Sequence, residues 1–359
     1  ATIALLNSLH ANSYSEYVRV WMFELKGEEG EMKEALSSPD SKFPLDNIKI
    51  LNYENEEDLS LLLPQIEQKY LAERQNKTVL GLIATPHTSE ELARIHKLST
   101  DQHNYIRYYI PSILDSLSPS SLMNNYNNQY KDLFSQKPKQ FLYLDCDMIV
   151  KRDPMILMHE VGPRLGAEKG VCMAAAARED PTLIDSLGPE DESEKTLKEL
   201  GIPADMTLSF NAGMLVVDID CWVKRDVLKN ILRWLEIRTK HPVYRLGSQP
   251  PLLLSFIPEH TKLIKTEEAK LYPPLLRYSV VGEEWDSQAR NCIDEYTSRK
   301  VGVVHYTGKN KPWQVIINNT FQQNLWEQYS PPSLLPSYRP VVPPEETWEE
   351  KAARREKLI

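Results

Sequence analysis

The stretch Phe141-Leu-Tyr-Leu-Asp-Cys-Asp-Met-Ile-Val150 decides the fold of this chain. Its apolar run is interrupted by two carboxylates one residue apart, Asp145 and Asp147. Such a run is typical of a buried strand, where charges are costly unless they are paired or bind a metal. Because side chains alternate along a strand, both carboxylates are expected to face one hard cation, while Cys146 points inward. A simpler alternative is a strand end whose acids meet solvent or cap the next helix.

Strands and helices alternate through the first half of the chain. Residues 18–23 and 48–51 have the composition of strands, each followed by a helical pattern, and one further helix is expected over residues 89–114. This alternation predicts an α/β fold with a Rossmann-like, mostly parallel central sheet and helices on both faces. Ligands of such sheets lie beyond the carboxyl ends of the strands, which is where Asp145 and Asp147 are expected.

Composition narrows the classes of function. The 359 residues are 41% hydrophobic, which supports a sizeable core, and carry a formal net charge of −9. An acidic chain argues against a nucleic-acid-binding surface, which would be basic. No stretch approaches the roughly 18 uninterrupted apolar residues of a membrane span.

The chain begins at Ala1 inside a helical pattern, with Ile3, Leu6 and Leu9 at helical spacing. An α/β domain usually begins with a strand. We therefore expect that upstream sequence has been removed, and that a signal peptide or membrane anchor went with it.

Cysteine usage and two Asn-x-Thr triplets bear on the compartment. The cysteines contain no Cys-x-x-Cys pair, so a zinc cluster is not expected, and they either form disulfides in an oxidising lumen or remain buried thiols. The triplets at Asn76 and Asn318 match glycosylation acceptors. Together these features favour the Golgi or another secretory-pathway lumen. The four cysteines are Cys146, Cys172, Cys221 and Cys292.

Composition also predicts the domain organisation. Residues 118–139 have the composition of an inserted surface loop, and the acidic segment 178–208 contains a short helical pattern at 194–200. We expect residues 1–330 to form one domain and residues 331–359 to form a tail that is proline-rich and charged.

Two short polar segments precede apolar runs. In Phe210-Asn-Ala-Gly-Met-Leu-Val-Val-Asp218, Asn211 can donate and accept hydrogen bonds, and Gly213 permits close approach of a ligand to the backbone. In Tyr244-Arg-Leu-Gly-Ser-Gln-Pro-Pro251, two prolines stiffen the chain after Gln249. Each segment can equally be an ordinary turn.

A third segment, Val303-Val-His-Tyr-Thr-Gly-Lys-Asn-Lys-Pro-Trp313, follows a predicted strand. His305 can supply an imidazole to the same cation as the aspartates. Gly308 allows close backbone approach, and Lys311 can contact a phosphate as a point charge. The alternative for His305 alone is a structural role at a strand end.

In this order, the motifs Tyr-x-Arg-Tyr-Tyr-x-Pro at 105–111, Leu-Asp-x-Asp at 144–147, Phe-Asn-x-Gly at 210–213 and His-x-x-Gly-x-x-Lys-Pro-Trp at 305–313 resemble those of glycosyltransferase family eight. This family of retaining nucleotide-sugar transferases includes glycogenin, plant galacturonosyltransferase-like proteins and animal glycosyltransferase-8-domain proteins. The similarity covers nearly the whole chain except the tail.

The resemblance implies a GT-A fold, a divalent cation (usually Mn²⁺, with Mg²⁺ possible), a UDP-sugar donor and a glycan or glycoprotein acceptor. Its metal ligands match Asp145, Asp147 and His305. Its catalytic positions match Gln249 and Asn211. Its donor contacts match Arg107, Asp145, Asn211, Gly213, Gly308 and Lys311.

Two departures from the family pattern stand out. The family's first strand, which supplies uracil-binding residues, is absent, and Ser248 stands where many members have Asp. These departures leave open an alternative function, a catalytically inactive protein that binds a nucleotide or glycan. A haloacid-dehalogenase-type phosphatase also ends a strand in Asp-x-Asp, but Met148-Ile149 does not match its pattern. The transferred sugar stays open, with Arg178 or Lys224 as possible partners of a uronate carboxylate.

Overall fold

The computed structural model describes most of the chain. The described residues are 1–25, 30–53, 56–79, 88–117, 136–178, 187, 195, 209–258, 276–292, 294–308, 311–317, 320–331, 333, 335 and 341–342. The predicted loop at 118–139 up to residue 135, the predicted helix at 194–200 apart from residue 195, and the tail beyond residue 342 lie outside these residues.

Strands within the described residues form one large sheet and three small ones. The large sheet has the order β3-β7-β5-β9-β8, with β6 paired to β5; the small ones are β1-β2, β10-β11-β4 and β12-β13. The strands are β1 Val20–Leu25, β2 Ile48–Tyr53, β3 Gln140–Leu144, β4 Met148–Val150, β5 Val171–Arg178, β6 Ser209–Phe210, β7 Met214–Asp218, β8 Phe256–Pro258, β9 Leu276–Val281, β10 Ser287–Gln288, β11 Val303–His305, β12 Ile316–Ile317 and β13 Val341–Val342.

Helices accompany these strands along the chain. Two of them confirm sequence predictions, since α1 covers the helical pattern after Ala1 and α3 follows β2. The α-helices of the described residues are α1 Thr2–Asn12, α2 Glu31–Leu36, α3 Glu57–Val79, α4 Ser89–Thr100, α5 Ile110–Ser116, α6 Pro154–Val161, α7 Ile219–Lys224, α8 Val227–Lys240, α9 Gln249–Ser255, α10 Glu295–Ser298 and α11 Thr320–Glu327.

Side-chain alternation along β7 divides the core into two layers. Leu215 and Val217 pack into a cluster with helices α3, α5, α7, α8 and α9. Met214 and Val216 pack on the other face with α6. Because successive side chains of a strand point to opposite faces, one apolar strand contributes to both layers. The prediction of an α/β fold with helices on both faces of the sheet is confirmed.

The large sheet is mostly parallel, as predicted, because β3, β5, β8 and β9 run in one direction and only β7 and the short β6 are reversed. Strand β5 pairs in parallel with β9, and β8 with β9, but β7 runs antiparallel to both β5 and β3. The physical reason lies in β6, which returns antiparallel along β5 and continues in the same direction into β7. Composition does not specify this direction of return.

The return along β5 is interrupted at residues 211–213. Ala177 pairs with Phe210 and Ala174 with Val216, so β5 recedes three residues while the opposite strand advances six. The three extra residues leave the ladder as a bulge, which re-aims side chains at a sheet edge. This bulge is the predicted polar segment at Asn211.

One correction concerns the Asp-Cys-Asp segment, which lies in a turn and not within a strand. Residue 144 ends β3 in the large sheet, and residue 148 begins β4 in a small one. The turn bonds to both sides, because Asp145 N donates to Gly213 O (2.8 Å) and Tyr306 N donates to Asp147 O (3.0 Å). Strand alternation therefore does not hold here, and Cys146 is exposed instead of inward-facing.

The single helix predicted over residues 89–114 is also wrong in detail. Helix α4 ends at Thr100, a 3₁₀ turn covers Gln102–Tyr108, and α5 begins at Ile110. Asp101 separates them because its side chain accepts a hydrogen bond from His103 N and starts a new helical segment. This break sets the position of Arg107.

A disulfide fixes one helix to the large sheet. Cys172 on β5 is bonded to Cys221 on α7, whereas Cys146 and Cys292 are free. Of the two alternatives left open by the sequence, one cysteine pair forms a disulfide and the other two cysteines are free thiols. Among the described helices, none combines the length and apolar character that crossing a membrane requires.

Candidate active site

Three side chains meet where the large sheet adjoins the β10-β11-β4 sheet. The ligand atoms of Asp145, Asp147 and His305 all lie within 4.8 Å of one another. His305 Nε2 lies 3.2 Å from Asp147 Oδ1 and 4.0 Å from Asp145 Oδ2. The antiparallel pairing of His305 with Met148 brings the histidine beside the Asp-Cys-Asp turn. We call these three residues the acid–histidine cluster.

The acid–histidine cluster fits a divalent cation. Two carboxylates and one imidazole are ligands that first-row divalent metals accept. Asp147 Oδ1 is buried and has no hydrogen-bond partner among the described residues, despite its proximity to His305. A buried acceptor without a partner costs free energy, which a coordinated cation would offset. The three predicted metal ligands therefore lie together, with their ligand atoms close enough to bind one cation.

Lys311 is the cationic partner of the cluster. Its Nζ contacts Asp147 Oδ2 and also donates to Tyr306 O at 2.6 Å. Burial alone would raise the pKa of Asp147, but the adjacent His305 and the charge of Lys311 lower it to about 2. Lys311 was predicted to contact phosphate; it lies at the cluster, bound to a metal-ligand candidate.

His305 is held from behind by Asp286, which the sequence analysis missed. His305 Nδ1 lies 2.8 Å from Asp286 Oδ1, and both side chains are buried. Burial opposes the imidazolium charge, but the adjacent carboxylates of Asp147 and Asp286 outweigh it and raise the pKa of His305 to about 9. Asp286 belongs to no recognisable motif: it is one of three acids in Glu283-Glu-Trp-Asp286, and nothing in that pattern distinguishes it from the other two.

Gly213 packs directly against the cluster. A Cβ atom added there would overlap the His305 ring and lie 2.9 Å from both Asp145 Oδ2 and Met148 Cε. The backbone of the bulge thus forms one wall of the cluster. Gly213 was predicted to lie close to a ligand; it lies directly against the side chains that are the candidate metal ligands.

Arg107 connects the cluster to the bulge. Its Nη2 lies 3.3 Å from Asp145 Oδ1, and its Nη1 donates to Ala212 O at 2.6 Å. The guanidinium lies over the Tyr143 ring, and Tyr143 OH donates to Asp145 Oδ1 at 2.6 Å. Burial disfavours the cation, but the Asp145 carboxylate outweighs burial and raises the pKa of Arg107.

Gln249 contacts the same residue of the bulge, Ala212, through the preceding peptide. Its Oε1 accepts a hydrogen bond from Ala212 N at 3.0 Å, and Asn211 Oδ1 accepts one from Gly213 N at 2.9 Å. Gln249 opens helix α9, and Ser248 O before it accepts from Tyr108 OH. The backbone of Ala212 is therefore held by Arg107 at its carbonyl oxygen and by Gln249 at its N–H.

The remaining candidates lie at different places. Gly308 has φ +93°, a conformation that favours glycine, and nothing lies within 4 Å of an added Cβ there. Arg178, considered for a uronate, instead pairs with Asp286 at 3.1 Å. Lys224 is exposed and pairs with Asp220 at 2.9 Å. Neither of these two side chains is shown at the acid–histidine cluster.

The fold and site together define a class: an α/β protein with a candidate divalent-cation site where an Asp-x-Asp turn meets a histidine. The chain belongs to glycosyl transferase family 8, whose model matches residues 2–316. The GT-A fold expected from the motifs is that of this family.

Curated relatives agree with this family at modest identity. The chain is 27% identical over 216 residues to probable galacturonosyltransferase-like 5 of Arabidopsis thaliana, covering 58% of this chain and 54% of the relative. It is 26% identical over 231 residues to glycosyltransferase 8 domain-containing protein 2 of Mus musculus, covering 61% of each. The matched region thus spans little more than half the length of these relatives.

Solved structures of glycosyltransferases are also similar to the chain. Galactosyltransferase LgtC in complex with donor and acceptor sugar analogs is 14% identical, with a TM-score of 0.48 and coverage of 92% of this chain and 94% of that one. Mouse xyloside xylosyltransferase 1 is 12% identical, with a TM-score of 0.45 and coverage of 87% and 92%.

Proposed function

We propose that the chain is a retaining glycosyltransferase that moves a hexosyl or uronosyl group from a UDP-sugar to a glycan or protein-linked acceptor. The observation that carries the proposal is the convergence of Asp145, Asp147 and His305 within 4.8 Å. Family membership and the galacturonosyltransferase-like name of a relative support the class of reaction.

The acid–histidine cluster is proposed to hold Mn²⁺, with Mg²⁺ as the alternative. A cation bound by Asp145, Asp147 and His305 would supply Lewis-acid stabilisation of the charge that develops on the departing diphosphate. The buried Asp147 Oδ1 without a hydrogen-bond partner among the described residues supports this assignment.

Lys311 and Gly308 are proposed to contact the diphosphate. The Lys311 ammonium already lies at Asp147 and needs only a short movement to exchange that carboxylate for a phosphate oxygen. A preorganised cation next to developing negative charge stabilises the transition state. Gly308 leaves open space over the backbone, as close approach of a ligand requires.

Arg107, Asn211, Gly213 and Gln249 are proposed to position the donor sugar. Gln249 and Asn211 accept hydrogen bonds from the backbone N–H groups of residues 212 and 213 in the bulge. Arg107 bridges the carbonyl oxygen of residue 212 and the Asp145 carboxylate. Gln249 is a weak nucleophile. We therefore favour attack by the acceptor hydroxyl on the face that the leaving diphosphate occupies. The departing phosphate accepts the hydroxyl proton, and the configuration is retained through an oxocarbenium-like state.

A secretory location, the Golgi above all, is part of the proposal. The Cys172–Cys221 disulfide supports it, because disulfides persist in oxidising compartments. We also propose that residues 1–330 form one domain and that the remaining residues form a tail.

The test is a panel of UDP-sugars assayed with Mn²⁺ for hydrolysis and transfer, and for anomeric configuration by NMR. We expect turnover of at least one donor with retention, and loss of about a thousandfold in Asp147→Ala, because Lewis-acid stabilisation is worth several kcal/mol. Asp220→Asn, an exposed carboxylate on α7, is the matched control and should keep full activity.

Three outcomes would each contradict part or all of the proposal. Metal-dependent binding of UDP without turnover of any donor would favour the inactive binding protein. Full turnover by Asp147→Ala would remove the metal assignment. Inversion at the anomeric carbon would leave glycosyl transfer standing and remove the same-face mechanism.

A further inference from the structure

A buried ion pair lies behind the acid–histidine cluster. Asp286 ends a 3₁₀ turn, Glu283–Asp286, immediately before β10, and its side chain is 0% exposed. Arg178 ends β5 and its side chain is 7% exposed. Strand β10 pairs with β11 so that Gln288 lies opposite His305, which brings the turn beside the histidine.

Asp286 contacts both a cation and the imidazole. Arg178 Nη2 lies 3.1 Å from Asp286 Oδ1 and also donates to the Asp286 backbone oxygen. The same Oδ1 lies 2.8 Å from His305 Nδ1. A fully buried carboxylate is costly even when paired, and apolar residues of similar volume would often be as stable. Its presence here therefore calls for a role beyond packing.

The geometry defines that role. With Asp286 accepting from Nδ1–H, the lone pair of a neutral His305 is on Nε2, which faces Asp147 and Asp145. The Gly213 backbone closes the ring's other side, since an added Cβ there would overlap the imidazole. Carboxylates bonded to the far nitrogen of a ligating histidine fix its tautomer and raise its basicity.

We propose that Asp286 is the positioning residue that presents His305 Nε2 to a divalent cation, and that Arg178 holds the Asp286 carboxylate in place. The proposal rests on the metal assignment of the proposed function. It also reassigns Arg178, which then acts at the cluster through Asp286 and His305 and does not bind a uronate.

The experiment measures Mn²⁺ binding to the full chain without donor, by electron paramagnetic resonance. Asp286→Ala should weaken Mn²⁺ binding about 10- to 100-fold, as loss of such a partner does in other metal sites. Asp286→Asn keeps the shape and an acceptor oxygen and should lose less. Arg178→Met should resemble Asp286→Asn. If Asp286→Ala does not fold, the Asn variant carries the test.

The matched control is Asp218→Ala. Asp218 is a buried carboxylate at the opposite end of β7, where it caps α7. Its loss should lower stability without changing Mn²⁺ affinity. A second readout that a merely structural role would not change is the tautomer of His305, from ¹⁵N chemical shifts with Mg²⁺ bound. We expect Nδ1–H in the parent chain and in Asp218→Ala, and a mixture in Asp286→Ala.

The outcomes separate this inference from the proposed function. Unchanged Mn²⁺ affinity and an unchanged tautomer in folded Asp286→Ala, or a parent chain that binds no divalent cation, would overturn the inference. A parent chain whose Mn²⁺ affinity depends on Asp286 but which transfers no sugar would leave the inference standing and overturn the proposed function alone.

Discussion

Buried carboxylates lie at both ends of β7, and they differ in how their oxygens are satisfied. At one end, Asp147 and Asp286 each keep a buried oxygen without a hydrogen-bond partner among the described residues. At the other end, Asp218 accepts from Cys221 N at 2.8 Å and from Gln140 Nε2 at 3.1 Å. Folding alone explains the satisfied carboxylate. The unsatisfied oxygen of Asp147 supports the proposed cation at the first end.

The largest effect is expected from filling the bulge with one methyl group. Gly213→Ala would push against the His305 ring and Asp145 Oδ2, neither of which can move without opening the cluster. We expect Mn²⁺ affinity to fall about a hundredfold or more. Overpacking should also lower the free energy of unfolding by about 1–3 kcal/mol. Metal titration and urea unfolding measure the two effects separately.

Gly162→Ala is the control at the Asp218 end. An added Cβ there would lie 2.6 Å from Gln140 Oε1, the end of a flexible side chain. We expect a loss of about 1 kcal/mol from the disturbed Gln140 hydrogen bonds and no change in Mn²⁺ affinity. Equal metal affinities in the two variants would break the distinction between the ends.

The second effect is a pH dependence confined to the metal-free chain. The pKa of His305 is raised to about 9, against about 6.5 when unfolded. A raised pKa contributes stability that is fully present below about pH 6.5 and is lost as the pH rises through about 9. We expect a loss of about 2–3 kcal/mol between these values, measured by urea unfolding in EDTA. The ion pair with Asp147 underlies both residues' shifts, so the shifts are not added.

His305→Gln isolates this effect, because other groups titrate in the same range. The variant should show a flatter dependence on pH than the parent chain in EDTA. Mn²⁺ binding should instead strengthen as the pH rises, since a ligating imidazole must lose its proton. Parallel curves for parent and variant would show that His305 is not the titrating group.

A smaller effect with two signs is expected from Lys311→Met. Losing a charged contact to diphosphate should lower kcat/KM about 10- to 100-fold. The same change removes the cation that now occupies Asp147 Oδ2, so Mn²⁺ affinity without donor should rise several-fold. Isothermal titration and donor kinetics test the two signs. A fall in both would mean that Lys311 supports the cluster rather than competing for it.

The site residues that belong to a motif at the end of a strand could be predicted from the sequence. Spacing predicts that Asp145 and Asp147 share a face, and the family motifs add His305. The expected strand alternation is wrong, however, because the two acids lie in a turn between two sheets. The turn brings both carboxylates to one point and leaves Cys146 exposed. A two-residue spacing cannot distinguish these geometries.

What the sequence did not reveal is long-range pairing. Asp286 lies 19 residues from His305, and only the parallel register of β10 and β11 brings them together. The reversed direction of β7 leaves no local pattern either, since it depends on the return along β5. Periodicity therefore predicted the α/β class, and the motifs that resemble the family predicted the cluster, but neither predicted its support.

The smallest effect is expected at the Asp218 end itself. Asp218→Ala removes the cap of α7, whose Cys221 N would lose its acceptor, and cap losses cost about 0.5–2 kcal/mol. The Cys172–Cys221 disulfide still ties that helix to β5, so the chain should remain folded and its Mn²⁺ affinity should not change. Urea unfolding and metal titration on the same sample provide the check. A weaker Mn²⁺ site in this variant would mean that the two ends of β7 are coupled, and that buried carboxylates here cannot be sorted into structural and functional ones by their hydrogen bonds.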